Sequence, residues 1–290
     1  MKVLMTGANG QLGMEMKDAL PHDIELVSTD IDELDVTDRV AVETYVYALR
    51  PDAIINAAAY TAVDQAERAL EKVFQINAEA VGYLAGAAQN VGARFVQVST
   101  DFVFDGETPR PYKPDNKVNP LNVYGASKAE GEAIALAKTN GSALIVRTAW
   151  VYSVYGSNFV KTMLKLMAEG DEISVVADQI GTPTWAKGLA CFLWEVLVNH
   201  SALKGVHHWT DNGVASWYDF AFLIQETAYN LKILDRRIAI NAISSEQYPM
   251  LAKRPSCCVL DKSKSFEAEG LQPMHWSEAL AAMLNQLRAG

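Results

Sequence analysis

The chain has 290 residues, half of them apolar, enough to bury the core of one large or two interlocked domains. Its formal net charge of −10 disfavours nonspecific attraction to nucleic acid or an anionic membrane, though not a local basic pocket for an anionic ligand. Three cysteines, Cys191, Cys257 and Cys258, form no spaced framework and point to a reducing cytoplasm; neither a signal peptide nor a membrane-spanning apolar run is expected.

Lys2–Thr6 reads as a short apolar strand, and Gln11–Leu20 as the helix that follows it across a glycine loop. Ile24–Thr29 is a second strand, and Thr37–Arg50 a helix with a threonine cap, stopped before Pro51. Ala53–Asn56 is a third strand, the Ala/Glu-rich stretch Gln65–Asn90 one long helix, and Arg94–Ser99 a fourth strand. Asn122–Lys138 is a helix and Ala143–Arg147 a fifth strand. Strands alternating with helices predict an α/β fold, a Rossmann-type doubly wound parallel sheet. After Thr148 the rhythm loosens. Helices near Asn158–Ala168, Trp185–Asn199, Trp217–Asn230 and Trp276–Leu287 are separated by strand-like pieces such as Ile173–Val176 and Val206–Trp209. No repeat or linker is visible, so the later half is expected to pack onto the first.

The loop Gly7-Ala-Asn9-Gly10-Gln11-Leu12-Gly13 lets the backbone approach a pyrophosphate at a helix N-terminus. Its spacing is G-x-x-G-x-x-G rather than the commoner G-x-G-x-x-G. Asp30, at the end of the second strand, can accept from a ribose 2′-hydroxyl and would repel a 2′-phosphate, and no arginine neighbours it. NADH is therefore favoured over NADPH, with use of both left open. Asp35-Val36 could flank the adenine, and Ala57-Ala58-Ala59-Tyr60 would let a cofactor lie against bare backbone. Asn77 is a further cofactor-side candidate, equally readable as an ordinary helix residue. Residues 1–150 are thus expected to form an NAD(P)-binding domain that also receives part of 184–210, with 151–290 as a smaller α/β substrate-binding lobe.

Ser99-Thr100-Asp101 closes the fourth strand, where parallel sheets bind ligands, and the Thr100 hydroxyl can hydrogen-bond a substrate carbonyl. In Tyr124-Gly-Ala-Ser-Lys128 a phenol and an ammonium stand one helical turn apart on one face. A positive charge there is expected to lower the phenol pKa and tune a proton donor for carbonyl reduction.

These segments are joined by Asn56-Ala-Ala-Ala-Tyr-Thr-Ala-Val-Asp64-Gln-Ala-Glu67, Ser99-Thr-Asp-Phe-Val-Phe-Asp105, Pro120-Leu-Asn-Val-Tyr124-Gly, Arg147-Thr-Ala-Trp150-Val-Tyr152, Asp178-Gln-Ile-Gly-Thr-Pro-Thr184 and Arg254-Pro255. Nearly end to end, the chain resembles the extended short-chain dehydrogenase/reductases, within them most closely the dTDP-4-dehydrorhamnose reductase family. The resemblance implies reduction of the C4 ketone of dTDP-4-dehydro-L-rhamnose, the last step of dTDP-rhamnose formation for cell-surface polysaccharide. It implies that Tyr124 protonates the developing alkoxide, that Lys128 holds the nicotinamide ribose, and that Thr100 orients the carbonyl. Asp101 and Phe102 follow at the substrate side, and Trp150 would lie against the sugar. Asn158, Lys161 and Arg254 are candidates for the diphosphate, Arg254 for its bidentate fork.

Three positions depart from that pattern. Phe102 stands where a tyrosine is usual, and Cys257-Cys258 where Asn-Ser is usual. Lys187 and Gln286 stand where some members use two glutamates to bind a dimerising magnesium, so no metal is expected and a monomer or weak homodimer is. An NAD-retaining nucleotide-sugar epimerase shares the cofactor fold; a dehydratase would need a Thr-Asp-Glu run that is missing. A regulatory subunit similar to that of methionine adenosyltransferase would not need the proton donor, yet Thr100, Tyr124 and Lys128 are all present.

Overall fold

A computed structural model describes residues 1–266 and 272–289. The first half builds β1 (Lys2–Thr6), α1 (Gln11–Asp18), β2 (Glu25–Thr29), α2 (Arg39–Leu49) and β3 (Ala53–Asn56). It continues through α3 (Val63–Ala66), α4 (Leu70–Phe74), a π-helical turn over Gln75–Glu79, α5 (Ala80–Val91), β4 (Arg94–Thr100), α6 (Val123–Lys138) and β5 (Leu144–Thr148). The later half runs β6 (Val151–Tyr152), α7 (Phe159–Glu169), β7 (Glu172–Val176), β8 (Ile180–Gly181), β9 (Thr184–Trp185), α8 (Ala186–Asn199) and β10 (Gly205–His208). It ends with β11 (Ala215–Ser216), α9 (Trp217–Asn230), β12 (Ala239–Ile243), α10 (Ser263–Phe266) and α11 (Trp276–Ala289).

Six parallel strands form the main sheet in the order β10-β5-β4-β3-β1-β2. Its strands are apolar on both faces, as a sheet covered by helices on both sides requires. Val3, Met5, Ile55 and Val96 face one core with α8, while the alternate residues Leu4, Ile54 and Phe95 face another with α2 and α5. The later segments build a third core from α7, α9 and α11.

Two local expectations need correction. Asp38, not Thr37, caps α2: its carboxylate accepts from Ala41 N–H at 3.0 Å, while the Thr37 hydroxyl donates to Asp35. The stretch Gln65–Asn90 is several short helical pieces joined through the π-helical turn, which aims Asn77 inward. Val206–Trp209, outside the regular rhythm, supplies the sixth strand: β10 pairs with β5. Arg94 secures that return by donating to the carbonyls of Val196, His200 and Leu203 beyond α8.

Candidate active site

The carboxyl ends of the main-sheet strands open onto a cleft of about 860 Å³ that runs from the glycine loop to Trp150 and Trp217. At one end, Gly7 takes φ +72°, and a Cβ there would lie 2.6 Å from the Ala58 nitrogen. Only glycine permits that approach. Gly10 precedes α1 without a side-chain cap, so the first amides of the helix remain available to an anion. Asp30 accepts from the backbone N–H of Asn9 at 2.8 Å and of Ile31 at 2.9 Å, which fixes its carboxylate at the mouth of the loop. Gly7, Asn9, Gly10, Gln11, Leu12, Gly13, Asp30, Asp35, Val36, Ala57, Ala58 and Ala59 all line the cleft.

Tyr60 and Asn77 do not line it. The Asn77 amide accepts from Tyr60 N–H at 2.8 Å and donates to the Tyr60 carbonyl and the Ser127 hydroxyl, each at 3.1 Å. Its polar atoms are spent on holding the alanine loop against α6, which replaces the cofactor-side role with a supporting one.

At the other end, α6 aims the reacting groups. Asn122 caps it by accepting from Gly125 N–H at 2.8 Å, and Glu67 accepts from Val123 N–H at 2.8 Å. Tyr124 and Lys128 share one face; Lys128 Nζ donates to the Val98 carbonyl at 2.7 Å. Thr100 donates to Asp101 at 3.0 Å and accepts from Phe102 N–H at 3.2 Å. Phe102 meets Tyr124 edge-on, with ring centroids 5.8 Å apart.

Burial dominates the electrostatics here. It pushes the Tyr124 phenol up to about 12, against the pull of a Thr100 hydrogen bond. It brings Lys128 down to about 8, opposed by Glu132. The expected lowering of Tyr124 by Lys128 is not found: desolvation and the Asp101 carboxyl raise the phenol, and only the Thr100 hydrogen bond pulls it down. Burial also raises Asp101 to about 7.

On the substrate side, Trp150 adopts φ +47°, a left-handed conformation unusual for a bulky residue. Its ring stacks on Trp217 at 3.5 Å between centroids and 7° between planes. Trp217 lines the cleft but carries no sequence signal, since it reaches Trp150 only through the pairing of β11 with β8. Thr148 was missed as well; its buried hydroxyl has no partner among the described residues and it also lines the cleft.

Arg254 lines the cleft while gripping Asp64 with both Nη atoms, at 3.2 and 2.8 Å, and this holds the Asp64 carboxyl below its usual range. Asn158 lines the cleft too, but its amide caps α7 and donates to Gln11 and the Ser153 carbonyl. Lys161 is not on the cleft: its ammonium donates to the Val154 carbonyl at 3.0 Å. Lys187 lies over the Trp185 ring at 5.2 Å.

The uncapped α1 amides, the Gly7 cradle, Asp30 and the unpartnered Thr148 hydroxyl together fit a dinucleotide laid across the strand ends. A family model described as the RmlD substrate binding domain matches residues 1–289. The dTDP-4-dehydrorhamnose reductase of Aggregatibacter actinomycetemcomitans is 42% identical, covering 96% of this chain and 97% of its own. The solved dTDP-4-dehydrorhamnose reductase of Clostridium acetobutylicum is 40% identical with TM-score 0.92, covering 99% of this chain and 100% of its own. That of Bacillus anthracis, in complex with NADP, is 37% identical with TM-score 0.92, covering 98% and 99%. The chain therefore belongs to the RmlD substrate binding domain family, together with these dTDP-4-dehydrorhamnose reductases.

Proposed function

We propose that this protein reduces the C4 ketone of dTDP-4-dehydro-β-L-rhamnose to dTDP-β-L-rhamnose, using NADH or NADPH. The observation that carries this reading is the convergence of Thr100, Tyr124 and Lys128 on one cleft that continues to the glycine loop. Bound there, a reduced nicotinamide supplies the hydride that the C4 carbon receives. Thr100 and Tyr124 orient the ketone through its oxygen, and Tyr124, held protonated by burial, gives its proton to that oxygen as the C–H bond forms. Lys128 holds the ribose hydroxyls and offsets the negative charge left on the phenol. Trp150, backed by Trp217, would present an aromatic wall to the sugar, and Arg254, which lines the cleft, would offer its guanidinium to the diphosphate.

Asp30, with Asp32, Glu33 and Asp35 beside it, favours a ribose diol over a 2′-phosphate, so NADH is the preferred donor. The same reading includes no magnesium at Lys187 and Gln286, a monomer or weak homodimer, and a cytoplasmic location. The structural division that accompanies it is a cofactor domain over 1–150 with part of 184–210, and a sugar-nucleotide lobe over 151–290. No helix among the described residues is long and apolar enough to cross a membrane.

The test is oxidation of NADH and NADPH by the purified protein with dTDP-4-dehydrorhamnose. Tyr124→Phe should lose about 10²–10⁴-fold in kcat while still binding the cofactor. Full activity in that variant would sink the role given to Tyr124, and a higher kcat/KM for NADPH would reverse the cofactor preference.

A further inference from the structure

Buried charge in the main sheet gathers beside the cleft, in a place none of the roles above uses. The strand register sets Ser99 of β4 beside Arg147 of β5, and Arg147 beside His208 of β10. Glu132 of α6 meets this row. Glu132 and Arg147 are 4% and 3% exposed. Arg147 donates from Nε to Oε1 at 2.9 Å and from Nη2 to Oε2 at 2.6 Å, a bidentate fork. The Ser99 hydroxyl donates to Oε1 at 2.5 Å.

The far side of Arg147 is also defined. Its Nη1 donates to the Pro114 carbonyl at 3.3 Å and lies 3.4 Å from His208 Nε2. His208 Nδ1 lies 3.0 Å from the Asp261 carbonyl, an atom that can only accept. Nδ1 therefore carries the proton, and Nε2 turns its lone pair to Arg147. Burial keeps His208 neutral and brings it down to about 3.

Tyr124, Lys128 and Glu132 follow one another at four-residue steps along a single face of α6. Ser99, held by Glu132, directly precedes Thr100. We propose that Glu132, fixed by Arg147 and Ser99, is a positioning residue of the reaction, locking the Thr100 end of β4 to the face of α6 that carries Tyr124 and Lys128. This rests on the reductase reading. A buried ion pair is a poor source of net stability, because desolvation offsets most of its Coulombic gain. Its value here is geometric and electrostatic.

The titratable and charged groups around Lys128 are Tyr124 and Glu132 on α6, Asp101 after β4, Arg147 on β5, His208 on β10, and Cys258 beside Asp101. Asp101 titrates near 7 and Tyr124 at about 12, His208 stays neutral, and burial raises the Cys258 thiol far out of range. Asp101 and Lys128 both titrate close to an alkaline limb just above neutrality, and the response of that limb to loss of the Glu132 charge is what assigns it to Lys128. Glu132 is the charge that raises Lys128, so its removal shifts the deprotonation to lower pH.

The experiment compares Glu132→Gln and Ser99→Ala with the parent chain across the neutral and alkaline range. NADH binding is followed by nicotinamide fluorescence, and reduction of dTDP-4-dehydrorhamnose by absorbance. In Glu132→Gln, the alkaline loss of both NADH binding and kcat should move down by about one pH unit. Ser99→Ala, which keeps both charges, should leave that limb in place and lower kcat about tenfold at nearly constant KM. Breaking a buried pair strains folding. If thermal melts show Glu132→Gln unfolded, Glu132→Gln with Arg147→Met removes both charges, and a smaller downward shift is expected because loss of the Arg147 cation opposes loss of the Glu132 anion. An unmoved limb in a folded variant overturns the electrostatic role, and an unchanged kcat in Ser99→Ala overturns the positioning role. If the parent chain binds NADH but does not reduce the sugar, the reductase reading falls while the binding profile still decides the role of Glu132.

Discussion

Tyr124 and Lys128 illustrate how one cause acts with opposite sign on an acid and a base: burial raises the phenol and lowers the ammonium, each toward its neutral form. The same rule makes a stability prediction at Asp211. This residue is 2% exposed, accepts from Trp185 N–H at 2.9 Å, and is pushed up to about 7 by burial from an ordinary 3.8. A carboxyl whose folded-state pKa is raised contributes stability that is fully present below the unfolded pKa and lost as pH rises through the folded one. The contribution of Asp211 to stability should therefore fall as pH rises from about 4 to about 7, against an opposite contribution from His207 and His208, which burial brings down to about 4 and about 3. Asp211→Asn keeps an acceptor for Trp185 and should flatten that decline in a series of thermal melts, with Asp101 responsible for a remainder of the same sign. A slope equal to that of the parent would count against the assignment. At this scale the grouping of Thr100, Tyr124 and Lys128 on one cleft was legible in the sequence, since Tyr124 and Lys128 are spaced by one helical turn and Thr100 ends a strand. Trp150 was legible as a residue but not as a conformation. Its φ of +47° is imposed by the stack on Trp217, 67 positions away in sequence (217 − 150), which no local propensity reports.

Among the elements, α6 is the one whose sequence says most. The sequence starts the helix at Asn122, which caps it one residue before Val123, and the helix runs to Lys138 as the pattern predicts. Gly125 has a reason that only packing shows. A Cβ there would lie 2.1 Å from the Phe102 carbonyl oxygen, so the helix approaches the turn after β4 across bare backbone. Gly125→Ala should force α6 away from Thr100, cost about 1–3 kcal/mol in urea unfolding, and lower kcat more than KM. An alanine variant with parental stability and kcat would show that the contact yields freely. The segment Gln65–Asn90 is the counterexample. Its composition favours helix throughout, but the Asn77 side chain is drawn inward to hold the Tyr60 backbone, and the helix accommodates this with a π-helical turn. Propensity cannot register a bend whose cause lies on another loop.

Across the whole molecule, the two halves are joined by side chains rather than by a linker. Glu15 of α1 is fully buried, and its Oε1 accepts from the Ser153 hydroxyl at 2.6 Å and the Trp185 indole at 3.0 Å. Glu15→Ala would strand two buried donors and should cost about 2–4 kcal/mol in guanidinium unfolding. Because α1 also presents the uncapped amides of the glycine loop, the variant should weaken NADH binding as well. Parental unfolding would mean that the two donors find other partners. The alternation of strands and helices up to β5, the glycine loop and the Tyr124–Lys128 face were determined by the sequence alone, because each depends on a period of two or of three to four residues within one element. The pairing of β10 with β5 in particular, the Trp150–Trp217 stack, the Asp64–Arg254 clasp and the Glu132–Arg147 fork were decided only by the tertiary structure. Each joins groups that are distant in the chain, and such contacts follow from which surfaces the packed cores bring together.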